Sequence, residues 1–221
     1  MVGGRSIMAT ATTWGKVTGA AGPLGVEIGP VEVSSVGVSG IVMIVGSALF
    51  LCAAFTPISF RVFPEKSNTR KLEVIRASPT SWSVTQILFG LGALVTAIGV
   101  GLLAYALRRQ PSAWLIWTSM AVLIPAAVLW LWHLYGRTVD PVAFAEGRWP
   151  RWPVLAYFIL TEIGLAMLGC ALLRSDLPNW IGWILIGSMV LLFVLTLIYR
   201  DVAPFWFYLV TLIAGIALLA R

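Results

Sequence analysis

Val84–Leu107 reads VTQILFGLGALVTAIGVGLLAYAL, a long run without a single Asp, Glu, Lys or Arg, and apolar on every side rather than in alternation. A helix rises about 1.5 Å per residue, so roughly 20 residues cross the ~30 Å hydrocarbon core of a bilayer, and this stretch suffices. A membrane strand needs only about 9–11 residues and alternates in polarity. The run therefore predicts a helix. Five further runs are similarly apolar, with Glu162 their one Asp, Glu, Lys or Arg: Val36–Phe55, Ala113–Tyr135, Pro153–Leu173, Trp180–Tyr199 and Pro204–Ala220. A helix satisfies its own backbone N–H and C=O groups, as hydrocarbon requires. The sequence thus predicts an all-α, polytopic bundle of six transmembrane helices over residues 34–221, after a flexible amino-terminal segment over residues 1–33.

Composition agrees. The chain is 59% hydrophobic and 11% charged, where an ordinary soluble domain is about 25% charged. Tryptophans gather at the predicted span ends: Trp82, Trp114, Trp117, Trp130, Trp132, Trp149, Trp152, Trp180, Trp183 and Trp206. Indole favours the headgroup level, where its ring is buried and its N–H stays wet. Cys52 and Cys170 both fall inside spans, which predicts small packing residues rather than a disulfide framework or zinc site. The first 33 residues are rich in Gly, Ser and Thr and lack the apolar core of a cleaved leader. Met8, which opens Met-Ala-Thr-Ala-Thr, is an alternative start to Met1.

A net charge of +6 would suggest nucleic acid in a soluble domain, but here the basic residues lie in short connections beside spans, where they set orientation. Nucleic-acid binding is not expected. One face collects Arg61, Lys66, Arg70, Lys71, Arg76, Arg137, Arg148, Arg151 and Arg200; the other has Arg5, Lys16, Arg108, Arg109, Arg174 and Arg221. The positive-inside rule then places the Pro57–Ser83 and Gly136–Trp152 connections in the cytoplasm of a bacterial-type plasma membrane, with both termini outside. Within the first connection, Asn68–Arg76 mixes charge and apolar residues as a short surface helix would, a pattern suited to anionic lipid or a partner. In the second, Asp140, Pro141 and Gly147 have the order of an N-cap, a first-turn proline and a helix-ending glycine. One or two helical turns are expected between them.

The second and fourth spans also align, at the constant offset that carries Thr96 to Thr161. Thr96–Arg109, TAIGVGLLAYALRR, lies over Thr161–Arg174, TEIGLAMLGCALLR, and half of the positions are identical. After a one-residue gap Trp114 and Trp117 match Trp180 and Trp183. A direct repeat of a two-helix hairpin, spans 2–3 and 4–5, is the expectation, its copies related by an axis along the membrane normal.

Few polar residues fall within the spans. Glu162 lies roughly 14 Å beyond Pro153 by helical rise, near mid-membrane, where insertion scales charge about 2.5–3.5 kcal/mol for a carboxylate and the usual remedy is to keep the proton. Its counterpart in the repeat is Ala97. Pro125 frees the carbonyl of Ala121 from its helical bond, which makes that oxygen the expected partner of a protonated Glu162. Thr161 and Thr96 are the other intramembrane candidates.

His133 is the sole histidine. It is expected as an amphipathic ring among interfacial aromatics; ligation of haem iron is the lesser reading, because a b-type haem ordinarily wants a second axial ligand. Arg137 with Asp140, and Arg200 with Asp201, are expected to anchor span ends at the interface. No nucleophile set, metal-ligand spacing or phosphate loop appears in the chain, and no motif identifies a family. The first functional expectation is a non-enzymatic structural or accessory membrane subunit, in contact with lipid and with a membrane partner or further copies of itself. The alternative is a small-solute or proton-coupled transporter using Glu162, and the second alternative a membrane enzyme or redox subunit centred on His133.

Overall fold

A computed structural model describes residues 34–199 and 202–220. The described chain is helical, in the order α1 (Ser35–Ala54), α2 (Pro57–Val62), α3 (Asn68–Ala77), α4 (Pro79–Ala106), α5 (Ala113–Val139), α6 (Pro141–Ala145), α7 (Trp152–Leu172), α8 (Asn179–Tyr199) and α9 (Phe205–Leu219). Five of these, α1, α4, α5, α7 and α8, are long and apolar enough to cross a membrane. That is the pattern of a multi-pass integral membrane protein. The sixth expected span corresponds to α9, an apolar helix of 15 residues.

Local sequence explains where the helices begin. Ser34 accepts the Gly37 N–H at 3.1 Å to open α1, and Thr56, followed by Pro57 in the first turn, opens α2 by accepting the Ser59 N–H at 3.3 Å. Ser67 does the same for α3. The last carbonyls of a helix lack intrahelical partners and are costly in hydrocarbon. At the end of α1 the Ala53 oxygen takes hydrogen bonds from the hydroxyls of Thr56 at 2.9 Å and Ser59 at 2.8 Å. The turn between Asp140 and Gly147 forms as its sequence predicts. Asp140 Oδ1 accepts the Ala143 N–H at 2.8 Å, Pro141 stands in the first turn of α6, and Gly147 has a φ of 69°.

Each long helix packs antiparallel on its neighbour in the series α1, α4, α5, α7, α8, and α9 returns to lie along α1 with a lighter edge to α8. The closest approaches are made by glycine. A Cβ placed on Gly46 of α1 would sit 2.5 Å from the Thr96 nitrogen of α4, and one on Gly92 of α4 would sit 2.7 Å from the Phe50 nitrogen. On the other flank of α1, a Cβ on Gly40 would come 2.7 Å from the Gly215 oxygen of α9. Between α7 and α8, Gly169 and Gly182 face one another in the same way. Apolar lipid gives helices no hydrophobic reason to associate, so close backbone contact has to supply the attraction.

The two connections expected on one face meet there. Ile58, Val62, Ile75 and Trp82 form a second small core with Val74 and Phe144 packed against it, which joins α2, α3 and α6 over one end of the bundle. Asn68–Ala77 is a helix, as expected. Two tryptophans depart from the expected girdle: Trp82 and Trp130 are buried, while Trp114, Trp117, Trp132, Trp152, Trp180, Trp183 and Trp206 are exposed. Trp82 is held by the α2–α3–α6 core and donates its indole N–H to the Arg137 oxygen at 3.2 Å. Trp130 sits among rings inside the bundle. Both cysteines are free and exposed, so neither is a core packing residue, because the buried stripes of α1 and α7 are already filled by Gly, Ser and larger apolar side chains.

Replacing Gly46 by leucine should lower the thermal unfolding temperature of the purified protein sharply, since overpacking ordinarily costs about 1–3 kcal/mol and here the obstacle is backbone. Gly187, where an added Cβ meets nothing within 4 Å, should accept alanine without loss. Equal melting of the two variants in detergent, followed by intrinsic tryptophan fluorescence, would refute the role given to the α1–α4 contact.

Candidate functional site

The bundle interior is closed by stacked rings. Phe50 of α1 lies over Tyr208 of α9 with centroids 3.6 Å apart, and Trp130 of α5 over Tyr157 of α7 at 4.6 Å. Phe50 also meets Trp130 at 5.9 Å and Phe89 of α4 at 4.7 Å. Rings in such arrangements contribute about 0.5–1.5 kcal/mol each beyond the area they bury. They join five helices, α1, α4, α5, α7 and α9.

Beside this plug is a cluster of hydroxyls. Tyr157 and Tyr208 share a hydrogen bond of 3.0 Å, Ser47 and Thr211 one of 2.8 Å, and Thr211 also donates to the Tyr208 backbone oxygen at 3.3 Å. Thr161 lies one turn along α7 from Tyr157, and the hydroxyls of Thr96 and Thr161 are both buried without a hydrogen-bond partner among the described residues. Thr96, Thr161, Tyr157, Tyr208 and Thr211 line an internal cavity of about 30 Å³. That is room for water, which needs only about 10–15 Å³ of such space and a few polar neighbours, and far below the ~300–1,000 Å³ of a pocket for an organic ligand. Neutral hydroxyls there can hold and orient water. They include neither a base nor an activated nucleophile.

Glu162 stands next to Thr161 in sequence and faces elsewhere. Buried at 2% exposure, it accepts the Thr196 hydroxyl of α8 on Oε1 at 2.8 Å, while Oε2 finds no partner among the described residues. It does not line the hydroxyl cavity. The expected bond to the Ala121 carbonyl does not form: Ala121 and Pro125 both lie on the exposed face of α5, and α5 continues through the proline as one helix from Ala113 to Val139. The α5–α7 contact is made instead by Ser119, which donates to the Gly164 oxygen at 2.7 Å.

His133 is not an exposed interfacial ring. It is buried at 5% exposure and stacks on Trp130 at 5.8 Å, with neither ring nitrogen hydrogen-bonded among the described residues. The reason is its position one turn from Trp130, on the inward stripe of α5. Gln86 of α4, also buried, has both amide atoms unpartnered. Among the described residues no group of three or more His, Cys, Asp or Glu lies close enough to hold a metal ion. One turn further on, the Arg137 guanidinium lies over the rings of Phe144 at 4.9 Å, Phe63 at 5.4 Å and Trp130 at 5.5 Å. Asp140 serves as the α6 cap. Arg137 and Asp140 thus fix the α2–α3–α6 end of the bundle, through cation–π contacts and a capping bond respectively. Arg200 and Asp201 lie outside the described residues.

Of the sequence candidates, the structure brings Thr96 and Thr161 to one cavity and sets Glu162, Pro125 and His133 apart from it. Sequence reasoning missed Tyr157, Tyr208, Thr211 and Ser47, although hydroxyl-bearing residues in otherwise aliphatic spans are a signal in their own right. It also missed Thr196, whose role depends on the rotation of α8 against α7.

The tyrosine pair yields a non-additive expectation. Tyr157→Phe or Tyr208→Phe alone strips a buried hydroxyl of its partner and should cost about 1–3 kcal/mol, whereas the double variant removes both groups and should recover much of that loss. A double-mutant cycle of melting temperatures checks it, and additive losses would mean that the two hydroxyls are not coupled.

No family model, curated protein or solved structure matches the chain, and its residues alone carry the functional reading.

Proposed function

We propose that the protein is a six-span membrane subunit with a structural or accessory role and no catalysis of its own. The observation that carries this reading is the filled interior: rings close the bundle centre, and the cavity lined by Thr96, Thr161, Tyr157, Tyr208 and Thr211 holds about 30 Å³, room for water. A path for a polar solute asks for more polar lining than four helices supply here. The seven exposed tryptophans among the described residues and the aliphatic outer faces of α4, α5 and α8 suit lipid and a membrane partner or a second copy.

A sixth crossing by α9 is favoured by its course along α1. Phe205 meets Phe55 at 6.1 Å near one end, and Gly215 backs onto Gly40 towards the other. Six crossings put both ends of the 34–221 domain on the side away from α2, α3 and α6, which the balance of basic residues assigns to the outside of a bacterial-type plasma membrane. The hairpin repeat draws support from three matched features. Gly99 of α4 seats against Met43 of the preceding span and Gly164 of α7 against Leu123 of its own preceding span. Thr96 and Thr161 share a cavity, and the two hairpin turns meet where Gln110 donates to Asp176 Oδ2 at 3.1 Å.

Proton-coupled transport through Glu162 is the second reading, favoured by its unpartnered Oε2. The two readings separate in liposomes. On the structural reading Glu162→Gln, which keeps an oxygen for the Thr196 hydroxyl, folds and melts as the native protein does. Proton uptake under an imposed membrane potential, followed with an entrapped pH dye, stays at the level of empty vesicles for both. Uptake by the native protein that disappears in Glu162→Gln would overturn the structural role. Thr196→Val, by contrast, leaves the carboxyl without its donor and should cost about 1–3 kcal/mol in stability.

A further inference from the structure

Where α1 ends, the chain turns through Phe55 and Thr56 directly into α2, and α3 follows after a short link. Between α2 and α3 runs an open groove of about 690 Å³, lined by Phe60, Arg61, Glu65, Lys66, Arg70 and Glu73 among others. We propose that this groove binds the phosphate-bearing headgroup of an anionic phospholipid, an inference that rests on the membrane reading above and adds a ligand to it.

Three observations carry it. The first is depth. The hydroxyls of Thr56 and Ser59 tie the start of α2 to the last carbonyls of α1, so α2 and the groove lie at the end of a membrane-crossing helix, where headgroups are. The second is the make-up of the lining. Phe60 is 59% exposed and its neighbour Phe55 is 55% exposed, with centroids 5.9 Å apart, an apolar edge beside three cations. A lipid headgroup presents the same pairing, with acyl and glycerol carbon on one side of a phosphate.

The third observation is how the charges are committed. The Glu65 carboxylate accepts the Ser67 N–H at 2.8 Å and so is turned to its own backbone. Glu73 is the other acid in the lining, against Arg61, Lys66 and Arg70. Guanidinium groups match phosphate oxygens in a two-point fork, and a lysine beside them adds a point charge. Lys71, adjacent in sequence to Arg70, lies over the Phe144 ring at 5.7 Å and faces α6 instead. Of the five basic residues of this connection, Arg61, Lys66 and Arg70 line the groove, Lys71 faces α6, and Arg76 is exposed apart from both.

The full chain, reconstituted in phosphatidylcholine nanodiscs and titrated with phosphatidylglycerol, tests the site by native mass spectrometry and thermal shift. Phosphatidylglycerol is expected to bind at least about tenfold more weakly to Arg61→Gln/Lys66→Gln/Arg70→Gln than to the native protein. Glu73→Gln should bind more tightly, and Lys71→Gln should match the native protein. If the triple variant fails to give a monodisperse particle in phosphatidylcholine, the single Arg70→Gln and the Glu73→Gln variants carry the comparison, with opposite signs expected. Retention of lipid by the charge-depleted variants, or an equal loss in Lys71→Gln, overturns the groove as a site. Displacement of the lipid by inorganic phosphate at matching affinity would assign the groove to a free anion instead. Failure to incorporate into nanodiscs would refute the membrane reading itself.

Discussion

Hydrocarbon is as apolar as leucine, so two helices within it gain little by hiding side chains from their surroundings. What binds this bundle together is direct approach of backbone to backbone. Gly46 and Gly92 remove the side chains that would hold α1 and α4 apart, and Gly40 with Gly215 does the same for α1 and α9. The rest depends on that contact. Only with α1 drawn tightly between α4 and α9 can Phe50 reach Tyr208 on one helix and Phe89 on the other, and only then do Ser47 and Thr211 come within a hydrogen bond. The aromatic plug and the hydroxyl cluster are consequences of glycine placement.

The same economy governs polar groups. A hydroxyl that pairs across two helices ties them together; one that pairs with its own helix leaves its neighbours free. Thr118 bonds back to the Trp114 oxygen at 2.7 Å and lies on the exposed face of α5. Its neighbour Ser119, one position on and therefore rotated by about 100°, reaches across to the Gly164 oxygen. Glu162 belongs to the cross-helix class. Its bond to Thr196 secures α8, the helix with the least buried span, to α7, where the glycines Gly169 and Gly182 already permit close contact. The acid that stands as Ala97 in the aligned span thus adds a polar tie to the α7–α8 packing, beside which α8 has a lighter edge to α9.

Much of this was legible in the chain. Span lengths followed from uninterrupted apolar runs, and the α6 turn followed from Asp140, Pro141 and Gly147 because capping chemistry is local. That the Pro57–Ser83 and Gly136–Trp152 connections share one end of the bundle followed from counting crossings; their joint core around Trp82 did not. What could not be read was rotation. Hydropathy that is uniform around a helix does not say which stripe faces inward, so Trp130 and His133 were expected in an outer belt when they lie inside, and Cys52 and Cys170 were expected inside when they lie out. The partner of Glu162 failed for the same reason. Ala121 faces outward, and the donor is Thr196 of α8.

The ends of the bundle differ in a way that bears on how it is held in a membrane. At the α4–α5 and α7–α8 turns, the polar tie between hairpins is the exposed bond from Gln110 to Asp176, with Arg108 folded back onto the Tyr105 ring at 4.1 Å. At the opposite end, α2, α3 and α6 build a small core of their own around Trp82, and Arg137 is drawn into it over three rings. A guanidinium held against aromatic faces is weakly hydrated and tolerates a partly buried position that an ammonium would not. That gives the second end a packed core of its own, beside which the groove of α2 and α3 lies. Exposed charge on a flexible loop loses side-chain and backbone freedom on binding; charge mounted on a packed platform has already lost part of it in folding. That difference supports the proposal that the groove of α2 and α3 takes an anionic headgroup.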